Sequence, residues 1–582
     1  MTDIQRKSFF FVILFLIATI AIITGDQVTI AKEGLVQTAD FNEYYGYENP
    51  IKLKVGYGYD PTVSWKEGEG PENNDWTRLY EENGYQLETL FNVEEQQLDN
   101  KMAVAINSGN YPDVFKVNGT ELVRYANSGV ISDITAVYEE YATPELREYM
   151  ETENSKYLES AWVKGKLYGL PKINWKWSST MMLFIRQDWL NNLNLEAPGT
   201  IEELKEVARA FTERDPDQNG LHDTYGLALN GKENFSVWSG IQAFFECYGL
   251  APGHWSGNIP FLATEGVVEW GGSNAEIMKK ALTDLTEMYQ IGTLSKNFVG
   301  LDNEALMSEI SLGKAGMYFA PHWGAMNVQL DAFKKNPQAV FTAHPLPDGD
   351  GRGSAKPFIN DTPTHFSVVS SEFGNPEALI KLANLAVEKL INPEDEIDLK
   401  YDTSFGEENS NRKGIGWKGS LTQFRKITSD FDNDRAIRSL LENQKINTTQ
   451  LQEALYSDIQ AYLTAVSDGT LVEKINHNDL SVKEGLSNWT VWGEQGGMSV
   501  QHDIYYRYRV ANYQSYVTTP TEMMATRSTV LNPITQETLI KIITGASTID
   551  SYDNFLKNWY KLGGEAVTKE AQDWYNQSRN KE

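Results

Sequence analysis

Between Ile51 and Tyr59 an apolar or aromatic residue stands at every second position, alternating with Lys52, Lys54, Gly56 and Gly58. Successive side chains on a pleated strand point to opposite faces, so this period of two predicts a strand, which Asp60-Pro61 ends. Helical patterns follow over Asp75 to Glu82 and near Glu94 to Asn107. A strand over Tyr111 to Val117 and a helix over Glu121 to Ser128 come next. Strand, loop and helix in alternation predict an α/β lobe whose ligand-facing loops gather at the strand ends.

A second region of this kind begins after Gly165-Lys166-Leu167-Tyr168-Gly169-Leu170-Pro171. Thr200 and Glu203 have capping-box spacing, ahead of a helix whose Leu204, Val207, Ala208 and Phe211 form one apolar face. Further on, Asn375-Pro376 predicts the start of a helix with Leu379, Leu382, Ala383 and Ala386 on one side. The stretch from Glu394 to Lys418 is polar and Gly-rich, as a surface excursion would be. The chain has 582 residues, more than one hydrophobic core organises, so two or more folding units are expected.

The net charge is −29, from 51 Lys and Arg against 80 Asp and Glu. That surface repels phosphate backbones and anionic lipid headgroups, which argues against nucleic-acid binding and is compatible with neutral solutes or cations. Cys247 is the only cysteine, so the chain has no internal disulfide and no cysteine zinc cluster. Its setting, Phe244-Phe245-Glu246-Cys247-Tyr248, predicts a buried, inert thiol.

At the N-terminus, Arg6 and Lys7 precede an apolar run from Phe9 to Ile23, the layout of an export signal. Residues 1–31 therefore read as a signal peptide or a membrane anchor. Thr29-Ile30-Ala31 is a tolerable cleavage site, and a retained anchor is the other outcome. Residues 32–49 read as a tether.

The sharpest local motif runs from Asp215 to Asp223. With Asp215 as position 1, Asp217, Asn219 and Asp223 fall at positions 3, 5 and 9, Gly220 at 6, and the Leu221 carbonyl at 7. This is the spacing with which an EF-hand loop wraps oxygen ligands round Ca²⁺, so a structural Ca²⁺ is expected. Position 12, where that loop places a bidentate Glu, is Gly226, so a final ligand has to come from elsewhere or from water. The plain alternative is an acidic, solvated turn.

The second signal is diffuse: 15 Trp and 29 Tyr, many of them beside Gly, Pro or polar residues. Tyr57, Tyr59, Trp175, Trp177, Trp238, Trp255, Trp323 and Trp492 are examples. The C–H face of a sugar ring packs on a flat aromatic ring while its hydroxyls find polar partners, so these residues are candidate ligand contacts. Ordinary core packing is the alternative for each. His-Glu-x-x-His, Gly-x-Ser-x-Gly and Walker-type motifs are absent, and the seven His show no ligand spacing. No catalytic residue is assigned. A pair of cleft carboxylates would escape a sequence reading, which keeps an exported carbohydrate-active enzyme as the alternative, beside a surface sugar sensor.

The ordered motifs from Ile51 to the C-terminus resemble the family 1 extracellular solute-binding proteins of ABC sugar importers, in the long lipoprotein-like (LplA/YtcQ-like) branch common in Gram-positive bacteria. The landmarks, in order, begin with Asn73-Asn74-Asp75-Trp76-Thr77-Arg78, Ser108-Gly109-Asn110-Tyr111-Pro112-Asp113-Val114 and Gly165 to Pro171. Arg186-Gln187-Asp188-Trp189-Leu190, the Asp215 to Gly226 loop and Gly313-Lys314-Ala315-Gly316-Met317 come next. Ile543-Thr544-Gly545 and Trp559-Tyr560-Lys561-Leu562-Gly563-Gly564 close the series.

The resemblance implies a periplasmic-binding-protein type II fold: two discontinuous α/β lobes joined by a hinge. Lobe 1 would hold 50–173 and 367–500, and lobe 2 would hold 174–366 and 501–582. It implies a monomer that closes on an oligosaccharide without turning it over and delivers it to ABC permease subunits outside the cytoplasm, at the cell membrane. Asn74, Asn118, Trp175, Trp177 and Trp323 would face the ligand. One departure stands out: Ile23-Thr24-Gly25 is followed by Asp26, where such proteins carry a Cys for lipid attachment.

Overall fold

The computed structural model describes residues 42–579, apart from 60–67, 153–155, 392–418 and positions 174, 234, 236, 237, 255, 350, 352, 354, 364 and 425. The expected signal or anchor, the first part of the tether, Trp255 and all of the expected surface excursion lie outside the described residues.

The period-two strand forms as Ile51–Tyr59, with Leu53, Val55 and Tyr57 buried. It pairs in parallel with Tyr85–Glu94. That second strand is not among the elements expected from the sequence, and the helix expected near Glu94 begins only at Leu98 after a short 3₁₀ turn. The first strand is tied to Val114–Val117 through Asp113, whose amide donates to the Lys54 carbonyl and whose carboxylate accepts from the Lys54 amide. Val114–Val117, Phe366–Val369 and Leu170–Pro171 then form an antiparallel sheet, with Phe366–Val369 in the middle. The chain has left this lobe and returned between those two last strands, so the lobe is discontinuous. Ala378–Leu390 covers it, buried on nearly every side rather than on one face.

The second sheet has the order Phe341–His344, Met182–Arg186, Ala315–Ala320, Tyr225–Ala228. Both inner strands are buried at every position, as expected of strands covered on two faces. The Thr200 capping box forms as its spacing predicts, opening the helix Ile201–Glu213. The fold is thus a mixed α/β assembly of two lobes, as the type II binding-protein reading expects.

Two details depart from the expected partition. Residues 44–47, read as tether, pack on the first lobe: Lys381 donates to the Gly46 carbonyl, Asn384 to the Tyr44 carbonyl, and the Tyr47 hydroxyl to Glu377. The helices Ser429–Leu441, Gln450–Ser467 and Leu480–Trp492, assigned by resemblance to lobe 1, rest their apolar faces on Leu330, Phe333, Trp323 and Met326. Those residues belong to the lobe 2 segment. Contacts with a distant helix decide where an amphipathic helix docks, and chain order does not.

Among the described residues no helix is long and apolar enough to cross a membrane.

Candidate functional site

At the C-terminal ends of Ile51–Tyr59 and Val114–Val117, where ligands of open α/β sheets bind, the first lobe holds a cavity of about 400 Å³. Tyr57, Lys116, Asn118, Lys172, His365 and Gln423 are among its lining residues. Burial holds the Tyr57 hydroxyl above its ordinary range. Asn118 opens the helix Gly119–Ser128, accepting from the Glu121 amide while the Glu121 carboxylate accepts from the Asn118 amide. Burial also raises the Glu121 carboxyl. The His365 ring is held well below its usual pKa by burial and then by the neighbouring Lys172 and Lys116, so it stays neutral. The Lys172 amide donates to the His365 carbonyl, which stitches together two of the strands that cross between the lobes.

A second constellation is aromatic. Trp175 packs at 5.4 Å from Phe431 and 5.6 Å from Tyr506, and Phe431 lies 4.2 Å from the His502 ring. Arg509 lies over Tyr506 at 4.3 Å. Tyr506 closes the π-helical turn Gln501–Tyr506, a local widening that often marks functional positions. Beneath it the His502 ring meets the buried Asp434 at 2.9 Å, and Asp434 also accepts from Arg438. Trp238 and Trp323 meet edge-on at 5.6 Å, and Trp323 packs on the cluster that contains Trp492.

The predicted contacts separate clearly. Tyr57 and Asn118 line the cavity, and the half-buried Trp175 and Trp323 stand in the aromatic cluster. Trp177 is fully buried, its indole N–H unpartnered, with Tyr506 and Tyr513 edge-on to it. Trp238 and Trp492 are almost as deeply buried. These three are therefore core residues here, because large rings fill the space between packed helices and strands. Asn74 is corrected most firmly. Its Oδ1 accepts from the Trp76 and Thr77 amides and its Nδ2 donates to the Gly70 and Pro71 carbonyls, so it is used as a helix cap.

Sequence reasoning passed over Phe431, His502, Tyr506, Arg509 and Tyr513. The signal for Tyr506 and Arg509 was the run Tyr505-Tyr506-Arg507-Tyr508-Arg509, which puts exposed cations beside rings in an acidic chain.

The acidic loop folds on itself. The Asp215 carboxylate accepts from the Asn219 and Gly220 amides, while the Asn219 side-chain amide donates to Asp217 and Asp223. Asp215, Gln218 and Gly220 all have positive φ, which curls the loop inward. Burial, followed by the neighbouring Asp215 and Asp223, raises the Asp217 carboxyl, and its Oδ1 is buried without a hydrogen-bond partner. Leu221 is exposed. Gly226, at position 12, lies on the strand Tyr225–Ala228, and a Cβ there would come within 2.3 Å of the Ala208 backbone. Among the described residues, no group of three or more His, Cys, Asp or Glu is already drawn together to hold a metal ion.

Other shared motifs are structural. Arg186 is buried and gives Asp188 two bonds, at 2.7 and 2.6 Å, while lying 4.8 Å over Trp189. A Cβ on Gly316 would strike Phe211 and Trp189.

The sequence model of the bacterial extracellular solute-binding proteins matches residues 66–384, more than half of the chain. Lipoprotein LipO of Bacillus subtilis (strain 168) is 28% identical over 233 residues, covering 39% of this chain and 42% of that protein. The polygalacturonan/rhamnogalacturonan-binding protein YtcQ of the same strain is 27% identical over 258 residues, covering 44% and 48%. The chain thus spans less than half the length of these relatives. The solved structure of an EF-hand mutant of the S. pneumoniae ABC-transporter substrate-binding protein FusA, in complex with fructo-nystose, superposes with a TM-score of 0.61 at 16% identity, over 91% of this chain and all of that one. That likeness speaks for the fold. By the extent of its family match, the chain belongs to the bacterial extracellular solute-binding proteins.

Proposed function

We propose that this chain is the extracytoplasmic substrate-binding protein of an ABC transporter, capturing an oligosaccharide between its lobes by hinge closure and catalysing nothing. The single observation that carries the reading is the pairing of a roughly 400 Å³ cavity at the strand ends with an aromatic platform at the crossings. Polar groups of the cavity would take the hydroxyls, and the rings of Trp175 and Tyr506 the C–H faces.

The lobes already touch in ways a hinge could use. The helix Gly119–Ser128 of lobe 1 packs on Glu522–Ile543, Lys164 lies 3.7 Å from Glu522, and a Cβ on Gly119 would reach Pro520. Membrane permease subunits would receive the closed form.

A structural Ca²⁺ in the 215–223 loop belongs to the same proposal. Its support is the oxygen donor set, the lone buried Oδ1 of Asp217, and an Asn219 amide that presents its positive end to two carboxylates, as a cation would. Asp215, Asp217, Asn219, the Leu221 carbonyl and Asp223 would hold the ion, which would pin the loop.

A thermal-shift screen of the purified protein over neutral and acidic oligosaccharides, with and without Ca²⁺, tests all of this. A ligand that binds the folded state raises the melting temperature. Recovery of the sugar unchanged after incubation supports a receptor, and cleaved sugar overturns it. A melting temperature indifferent to Ca²⁺ and to chelator removes the calcium part alone.

A further inference from the structure

We infer that the sugar captured in the cleft is acidic, an oligosaccharide of hexuronic acids whose carboxylates are read by Lys116 and Lys172 in the cavity and by Lys176 and Arg509 at the aromatic platform. The inference rests on the oligosaccharide reading above and narrows it.

In a chain of net charge −29, two pairs of cations stand at these two places, one in the cavity and one at the rings. Lys116 and Lys172 both line the cavity and both lie close enough to His365 to act on its ring. Lys172 is only 9% exposed, and a buried ammonium acts through a lower dielectric than one on the surface. Four residues on, Lys176 shares the neighbourhood of Tyr513 with Arg509. Arg509 adopts a left-handed backbone, φ 55°, and lies over both Tyr506 and Trp177. One uronic acid ring offers both chemistries at once: a C–H face for the aromatic platform and a carboxylate for a guanidinium or ammonium beside it.

Carboxylates stand at the same places. Glu121 is engaged with the Asn118 amide and lies 3.7 Å from Arg124. Glu95 and Asp99 line the cavity too and are exposed. Asp361, 4.0 Å from Lys176, is held by the Tyr157 hydroxyl at 2.7 Å. The overall negative field does not forbid an anion in the cleft, because surface charges are screened beyond about 8 Å at physiological salt while groups in the cleft act at contact.

The test is titration calorimetry of the full protein with trisaccharides of hexuronic acid in several linkages. Each is paired with its twin in which every carboxyl has been reduced to hydroxymethyl. At least one uronate is expected to bind about tenfold or more tighter than its twin, and the gap should narrow as salt is raised. Lys172→Gln and Arg509→Gln should each shrink that preference several-fold, and Lys172→Arg should keep it. Lys176→Gln, at a more exposed position, serves should Lys172→Gln fail to fold. Twins that bind as tightly as the uronates, or a preference that survives all three Gln variants, overturn the inference and leave sugar capture standing. Absence of binding by every acidic and neutral sugar overturns both.

Discussion

The cavity and the ring cluster are built on opposite principles. The cavity is a polar hollow assembled from strand ends and a helix start, where Asn118 and Glu121 also cap the helix. The cluster is a pile of rings, graded from the half-buried Trp175 down to the fully buried Trp177 two residues along. A polar hollow offers selectivity through hydrogen bonds and charge, whereas a ring platform offers contact area at low entropic cost. The gradation within the rings matters more, because the same residue type is half-buried at one position and fully buried two residues on.

Substitutions can break that contrast. The largest effect is expected from Trp177→Ala, which empties a fully buried site and should cost about 3–5 kcal/mol in urea unfolding, whatever the ligand. A loss under about 1 kcal/mol would mean the ring is not core in solution. Trp175→Ala should cost well under half of that in stability yet weaken oligosaccharide binding by about tenfold or more, read by calorimetry. Equal affinity with and without the Trp175 ring would remove the platform from the site.

On the polar side, Tyr57→Phe deletes one buried hydroxyl and keeps the ring. Binding should weaken about fivefold, with stability changed by about 1 kcal/mol or less. The smallest effect concerns pH. His365 is neutral when folded because burial and the two lysines hold its pKa well below the ordinary 6.5. The unfolded chain therefore takes up a proton below pH 6.5 that the folded one refuses, so this residue makes stability fall as pH drops through that value. Ligand affinity should meanwhile stay flat between about pH 6 and 8, since the ring does not titrate there. Replacing His365 with Gln should flatten part of the acid limb of a melting-temperature profile; an unchanged limb would show that the ring titrates normally.

Much of the fold could be read locally. The Ile51–Tyr59 alternation, the helix Asp75–Glu82 and the Thr200–Glu203 box formed because neighbours in sequence set strand period and helix caps. The strand Tyr85–Glu94 escaped notice because Leu90 breaks its alternation at the point where the pairing shifts register, and its pairing to Ile51–Tyr59 is non-local. The candidate site was half legible. Asn118 and Tyr57 were found at strand ends, and Asn74 was misread although its cap to Thr77 is itself a local pattern. The aromatic list named the right residue type without ranking it, since burial of an indole depends on what packs over it from elsewhere.

The sequence by itself determined the α/β class, the family through its ordered short motifs, and the oxygen spacing of the 215–223 loop, because each is written in residues close together along the chain. Only the tertiary structure decided which tryptophans are core, that the helices between Ser429 and Trp492 pack on Trp323, Met326, Leu330 and Phe333, and that Lys116 and Lys172 share one cavity while Lys176 and Arg509 share the neighbourhood of Tyr513. Such facts depend on pairs of residues up to several hundred positions apart. Their proximity is set by the packing of whole elements, and no local propensity encodes it.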